Sequence, residues 1–402
     1  MVKRILLTSM MLALAEAMAG LKSIPHLIYQ ARMKSPELFL TATELSKKAG
    51  YEMETHVVRT EDGYLLTLHH LPPRPSLVSK GPVFFMHGLA HQTDMWIIQG
   101  PNHSLPYLLV DRGYDVWIGN CRGNLYSKTY AAAKNENPLY WDFSWHEIGY
   151  YDLPAFIDYV LVRTRHDSLL YVGFSMGGTT ACVLLSTRPE YNAKIRLMVG
   201  LAPAVYAEHT RSPIARELIV LRDANRDTLG MLRAANMLSS SEARTALAYF
   251  TCRDGSSTQR ICEETFYGIG GYSSALNKTM LPVYLNLLAD VSTKTVLHFS
   301  QIETTGKFEQ WDFGPEMNMN IYNSSRPPKY DLTKMTVPTE LYTSKGDALI
   351  PSEDVELLMG ILPNVIGFRL VQARDFSHLD FLTHMNVKKL VYDDVIATLE
   401  RY

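Results

Sequence analysis

Leu169-Leu170-Tyr171-Val172-Gly173-Phe174-Ser175-Met176-Gly177-Gly178-Thr179-Thr180-Ala181-Cys182-Val183-Leu184-Leu185 is the stretch on which the fold turns. The apolar run 169–172 reads as a buried strand. Residues 178–185 carry few helix breakers and run to Arg188-Pro189, a helix stop. Between them lies Gly-x-Ser-x-Gly, the pattern of a serine held on a sharp strand-to-helix turn, where small neighbours let the flanking backbones pass and leave the hydroxyl exposed. Ser175 is therefore the candidate nucleophile. The pattern is short enough to arise by chance, so its weight depends on the rest of the chain.

Upstream, residues 55–59 and 64–68 alternate in the manner of strands and are joined by the turn Glu61-Asp62-Gly63. Residues 83–86 form a wholly apolar run that ends at His87-Gly88-Leu89, and residues 114–118 form another strand that ends at a loop through Asn120 and Arg122. A helix is expected over 151–161, and further strands over 195–201, 339–343 and 368–371. Strands alternating with helices imply an α/β fold with a mostly parallel central sheet covered on both faces. The rhythm breaks between Pro203 and Val337, where a helical stretch over 217–238 and aromatic loops suggest an insertion above the carboxyl edge of the sheet.

A serine nucleophile needs a base, and the base needs an acid to orient it. In this architecture the three follow in the chain order Ser, Asp, His. Asp347 follows the strand at 339–343 and His378 follows the last strand, so both lie in strand-end loops. Asp354 and Asp380 are rival acids, but Asp354 falls inside the next helix and Asp380 is too close to His378 in the chain. The oxyanion formed in acyl transfer is held by two backbone N–H groups in such sites, here those of Leu89 and Met176. His87 is expected to buttress its loop and His384 to be structural.

The 402 residues are 47% hydrophobic and 20% charged with a formal charge of −2, which argues against polyanion binding and against nucleic acid as a partner. Lys3-Arg4, the apolar residues 5–14 and Ala17-Met18-Ala19 form the pattern of a secretory signal peptide, too short for a transmembrane anchor that needs about 20 apolar residues. A soluble mature product is expected. In an oxidising compartment Cys252 and Cys262, either side of a polar loop, could close a local disulfide, while Cys121 and Cys182 sit in apolar segments as free thiols. Asn102, Asn277 and Asn323 begin glycosylation sequons. No Cys-x-x-Cys or His-Glu-x-x-His spacing occurs, and neither a metal nor a cofactor is expected.

Several separated segments resemble the acid lipases of the gastric and lysosomal lipase family. They are Thr60-Glu61-Asp62-Gly63-Tyr64, His87-Gly88-Leu89, Asp115-Val116-Trp117-Ile118-Gly119-Asn120, Tyr151-Asp152-Leu153-Pro154, the serine elbow, Gly306-Lys307-Phe308 and His378-Leu379-Asp380-Phe381. The resemblance implies an α/β-hydrolase fold with a helical cap and lid over Ser175. It also implies hydrolysis of triacylglycerols or steryl esters at an oil–water or lipoprotein interface, an acidic optimum, and a secreted or lysosomal destination. It would make the Cys252–Cys262 loop the family's cap disulfide. The organisation expected is a signal peptide over 1–19, a candidate helical segment over 20–49, core over 50–203, cap over 204–336 and core again over 337–402. Vertebrate members usually carry His and Gln either side of the nucleophile, where this chain has Phe174 and Met176, with an extra Gly178 following. An epoxide hydrolase would want aspartate in place of Ser175. A non-catalytic lipid carrier commonly lacks a triad member, and all three are present here.

Overall fold

The computed structural model describes residues 24–130, 138–224 and 241–402. The expected signal peptide lies outside them. Among the described residues one nine-stranded sheet runs β1 (Glu54–Arg59), β2 (Tyr64–Leu71), β4 (Asp115–Gly119), β3 (Pro82–Met86), β6 (Leu169–Phe174), β7 (Ile195–Leu201), β8 (Thr339–Thr343), β9 (Val365–Leu370), with β5 (Thr129–Tyr130) paired to β2. From β4 to β9 every pairing is parallel, and β1, β2 and β5 join antiparallel. The central strands β3 and β6 are buried at every position, as expected of apolar runs covered on both faces. The helices Leu153–Thr164 and Met176–Thr187 pack on the face that carries Phe84, Trp117 and Tyr171, whereas Phe85, Ile118 and Val172 belong to a second core on the other face.

Several boundaries differ from the sequence reading, among them β2, which runs to Leu71 rather than 68. The strand before Ser175 runs on through Phe174, and the helix after it starts at Met176, two residues early, so the turn is tighter than the apolar pattern suggests. β9 starts at Val365 rather than 368, because this edge strand is only half-buried and contains Gly367, which blunts its pattern. The helix expected at 151 is preceded by a π-helical turn, Ile148–Asp152. Helices Thr93–Ile97 and Leu105–Val110 were not anticipated.

Between β7 and β8 the described residues hold no strand. They form the helices Pro213–Ala224, Glu242–Cys252, Gln259–Gly270, Leu281–Asn286, Thr293–Thr305 and Pro315–Tyr322. Residues 225–238 of the stretch expected to be helical lie outside the described residues. Cys252 and Cys262 are disulfide-bonded, while Cys121 and Cys182 are buried free thiols.

Candidate active site

Ser175 adopts φ 52° and ψ −115°, a conformation that costs a non-glycine residue of order 1–3 kcal/mol and persists only where its surroundings enforce it. Its N–H donates to the Leu201 carbonyl at the end of β7 (2.9 Å), and its own carbonyl accepts from Gly178 and Ala204. Tyr171 O–H donates to the Gly177 carbonyl at 2.7 Å. A Cβ on Gly177 would lie 2.3 Å from the Met86 carbonyl oxygen, so only glycine lets the elbow close against the end of β3.

The three sequence-chosen side chains meet. Asp347 Oδ2 accepts from His378 Nδ1 at 2.7 Å, which leaves Nε2 to accept from the Ser175 hydroxyl at 2.9 Å. All three residues are buried. The other carboxylate oxygen of Asp347 accepts from the Leu349 and Ile350 amides at 2.9 and 2.7 Å, which fixes its rotation. The rival acids are engaged elsewhere: Asp354, within the helix Ser352–Ile361, takes the backbone N–H and Nδ1 of His209, and Asp380 accepts from Ser377 N–H and Ser273 O–H. His87 holds its loop through the Gly88 carbonyl and the Cys121 amide. His384 accepts from the Asn386 amide. Among the described residues no protein acceptor takes the N–H of Leu89 or Met176.

Two contributors had no role in the site read from the sequence. The backbone carbonyl of Gly270, at the end of the helix Gln259–Gly270, accepts from both Ala348 N–H and His378 N–H at 3.0 Å. One atom of the insertion thus ties the Asp347 loop to the His378 loop. Phe174 packs its ring against those of His378 (5.0 Å between centroids) and His91 (5.8 Å), so the apolar residue inside the elbow braces the His378 imidazole.

A cavity of about 310 Å³ opens from Ser175 and His378 and is walled by apolar side chains, among them Ile214, Phe266, Leu288 and Val296. Its size is at the lower end of the range for small-molecule sites. Burial holds His87 and His69 at about 4 and His91 at about 3; charges on His87 and His378 add to the depression of His91. Burial also lowers His298 to about 3, and it lifts Asp94, Asp152 and Asp380 to about 6.

A family model described as "alpha/beta hydrolase fold" matches residues 81–384, and one described as "Partial alpha/beta-hydrolase lipase region" matches residues 42–100. Lipase 1 of Drosophila melanogaster is 40% identical over 90% of this chain and 80% of its own length. Gastric triacylglycerol lipase of Mus musculus is 31% identical over 91% of this chain and 93% of its own. A solved structure of a monoglyceride lipase variant from Saccharomyces cerevisiae shares the fold, with TM-score 0.53 and 14% identity over 87% of this chain and 97% of its own. No helix among the described residues is long and apolar enough to cross a membrane. With sequence likeness running from the edge hairpin through the elbow to the histidine loop, the chain belongs to the lipases of the α/β-hydrolase fold, enzymes that cleave carboxylic esters.

Proposed function

We propose that the protein hydrolyses triacylglycerols through an acyl-enzyme on Ser175. The observation that carries this reading is the unbroken hydrogen-bonded chain from Asp347 through His378 to Ser175, opening into an apolar cavity. His378 removes the hydroxyl proton as Ser175 attacks the ester carbonyl, and Asp347 orients and stabilises the imidazolium. The Leu89 and Met176 amides hold the oxyanion; because the backbone donates, Met176 can replace glutamine without losing that bond. His378 then protonates the departing glycerol oxygen, and a water activated by the same imidazole releases the fatty acid. Each acyl methylene buried in the cavity contributes about 0.8 kcal/mol, which favours long chains over short ones.

Residues 204–336 act as a cap between the two core segments, 50–203 and 337–402. Residues 1–19 direct secretion, with the lysosome as the alternative destination. Asn102 and Asn323 are exposed and fit glycan acceptors; Asn277 is half-buried, and its side chain accepts from Thr279 N–H and O–H. The test is a panel of triolein, cholesteryl oleate and tributyrin emulsions assayed with the purified mature protein from pH 4 to 8. Triolein should be cleaved at the highest kcat/KM. Cleavage of cholesteryl oleate alone would replace this reading with a steryl-ester hydrolase.

The buried histidines bear on the working pH. A histidine whose pKa is depressed by folding contributes stability above its ordinary value of about 6.5, and that stability is lost as pH falls towards its folded value. His69, His87, His91 and His298 each forfeit about 2–3 kcal/mol by pH 4.5 on this account. Asp94, Asp152 and Asp380 have raised values and act in the opposite sense, each gaining about 2 kcal/mol between pH 6 and 4.5. His70 and His209, raised by their carboxylate partners, also favour acid. The four deep histidines outweigh these groups, so the thermal unfolding midpoint should fall between pH 6.5 and 4.5. A midpoint that rises over that interval would contradict this ranking.

A further inference from the structure

The edge hairpin carries a cluster that ester hydrolysis does not use. Side chains alternate faces along a strand, so Glu54 and His56 lie on one face of β1, and the register sets His70 of β2 directly opposite Glu54. Glu54 Oε2 sits 3.1 Å from His56 Nε2 and 3.0 Å from His70 Nδ1, and the three ligand atoms lie within 4.8 Å of one another. Ligand atoms on a tetrahedral zinc, at about 2.0–2.1 Å from the ion, are themselves about 3.3 Å apart. Both separations to Glu54 are therefore already close to the spacing such an ion requires, and that between the two ring nitrogens is no more than 4.8 Å.

We propose that Glu54, His56 and His70 form a binding site for a borderline divalent transition ion of the zinc class, with solvent in the fourth position. Two imidazoles and one carboxylate select such an ion over calcium or magnesium, which take oxygen ligands. The ring nitrogens turned away from the site are both held. His70 Nε2 meets Asp115 at 2.5 Å, and His56 Nδ1 meets the Tyr159 hydroxyl at 3.0 Å. These are the outer partners that orient metal-bound histidines and raise their basicity. Trp117 stacks on the His70 ring at 3.8 Å and limits its rotation. Glu54 and Asp115 supply two negative charges against Arg163, whose charge acts on His56. The side chains of His56 and His70 are 12% exposed and that of Glu54 is 54% exposed, so the rings are positioned while one side stays open to solvent.

The site lies where β4 begins, at the edge of the sheet opposite the Ser175 elbow, and an ion there would pin β1 to β2 and, through Asp115 and Tyr159, to β4 and the helix Leu153–Thr164. Its effect should be on stability and not on ester cleavage. The test is equilibrium dialysis of untagged, chelator-treated mature protein against ZnCl2, with tributyrin hydrolysis as the check on folding. One equivalent should bind with a Kd on the order of 1 μM or tighter. His56→Gln and His70→Gln should each abolish stoichiometric binding with activity retained, and Asp115→Asn should weaken binding about 10–100-fold. Zinc should raise the Tm of the wild type and leave that of His70→Gln unchanged. Absence of stoichiometric binding, or its survival in both histidine variants, would overturn the proposal.

Discussion

Ser175→Ala should lower kcat/KM for glyceride esters by about 10⁶-fold, the scale seen when a triad nucleophile is removed, with the fold intact. The substitution deletes one oxygen from a buried turn whose backbone is set by the Leu201 carbonyl, Ala204 and the tight approach of Gly177 to Met86, none of which involves the hydroxyl. Circular dichroism and the unfolding midpoint should therefore match the wild type, and labelling by a fluorophosphonate probe should vanish. A folded Ser175→Ala sample that retains wild-type hydrolysis would refute the assignment of the nucleophile.

The second large effect is expected from Asp347→Asn, at about 10⁴-fold in kcat with little change in KM. The reason is local. Oδ1 of residue 347 accepts from the Leu349 and Ile350 amides, so an asparagine would keep its oxygen there and turn its NH2 group towards His378. A donor facing Nδ1 forces the ring into the tautomer with its proton on Nε2, where it cannot accept the Ser175 proton. Asp354→Asn and Asp380→Asn, measured beside it, should leave a far higher kcat, since neither carboxylate touches the His378 ring. Equal loss in Asp380→Asn would show that the acid had been misassigned.

The parallel core and the order of the three site residues were legible because each depends on side-chain type. Apolar runs announce buried strands, and Ser175, Asp347 and His378 each follow one. The features that escaped the sequence are of a different kind. β5 is two residues long and pairs only because the chain returns past Tyr64 and Leu65. The Gly270 contact is made by a carbonyl that every residue possesses, so no residue type could have signalled it. Phe174 reads as a departure from relatives, and its role lies in contacts with the rings of His91 and His378, which its residue type does not announce. The Glu54, His56 and His70 cluster has no motif spacing because strand register, not chain proximity, brings it together.

The double hydrogen bond to Gly270 changes what kind of object the inserted segment is. A cover that only shields a cleft could be exchanged or trimmed away, leaving a smaller esterase that works on soluble esters. Here the segment supplies a fixed point to the acid and base loops, and Ser273 adds a bond to Asp380 just beyond His378. On the proposed mechanism the end of the Gln259–Gly270 helix stays seated during turnover, because its last carbonyl holds the loops of both Asp347 and His378. Grafting a relative's insertion onto this core to change substrate preference therefore means transplanting part of the scaffold that positions the proposed triad, and chimeras joined without regard to residue 270 should lose turnover before they gain selectivity.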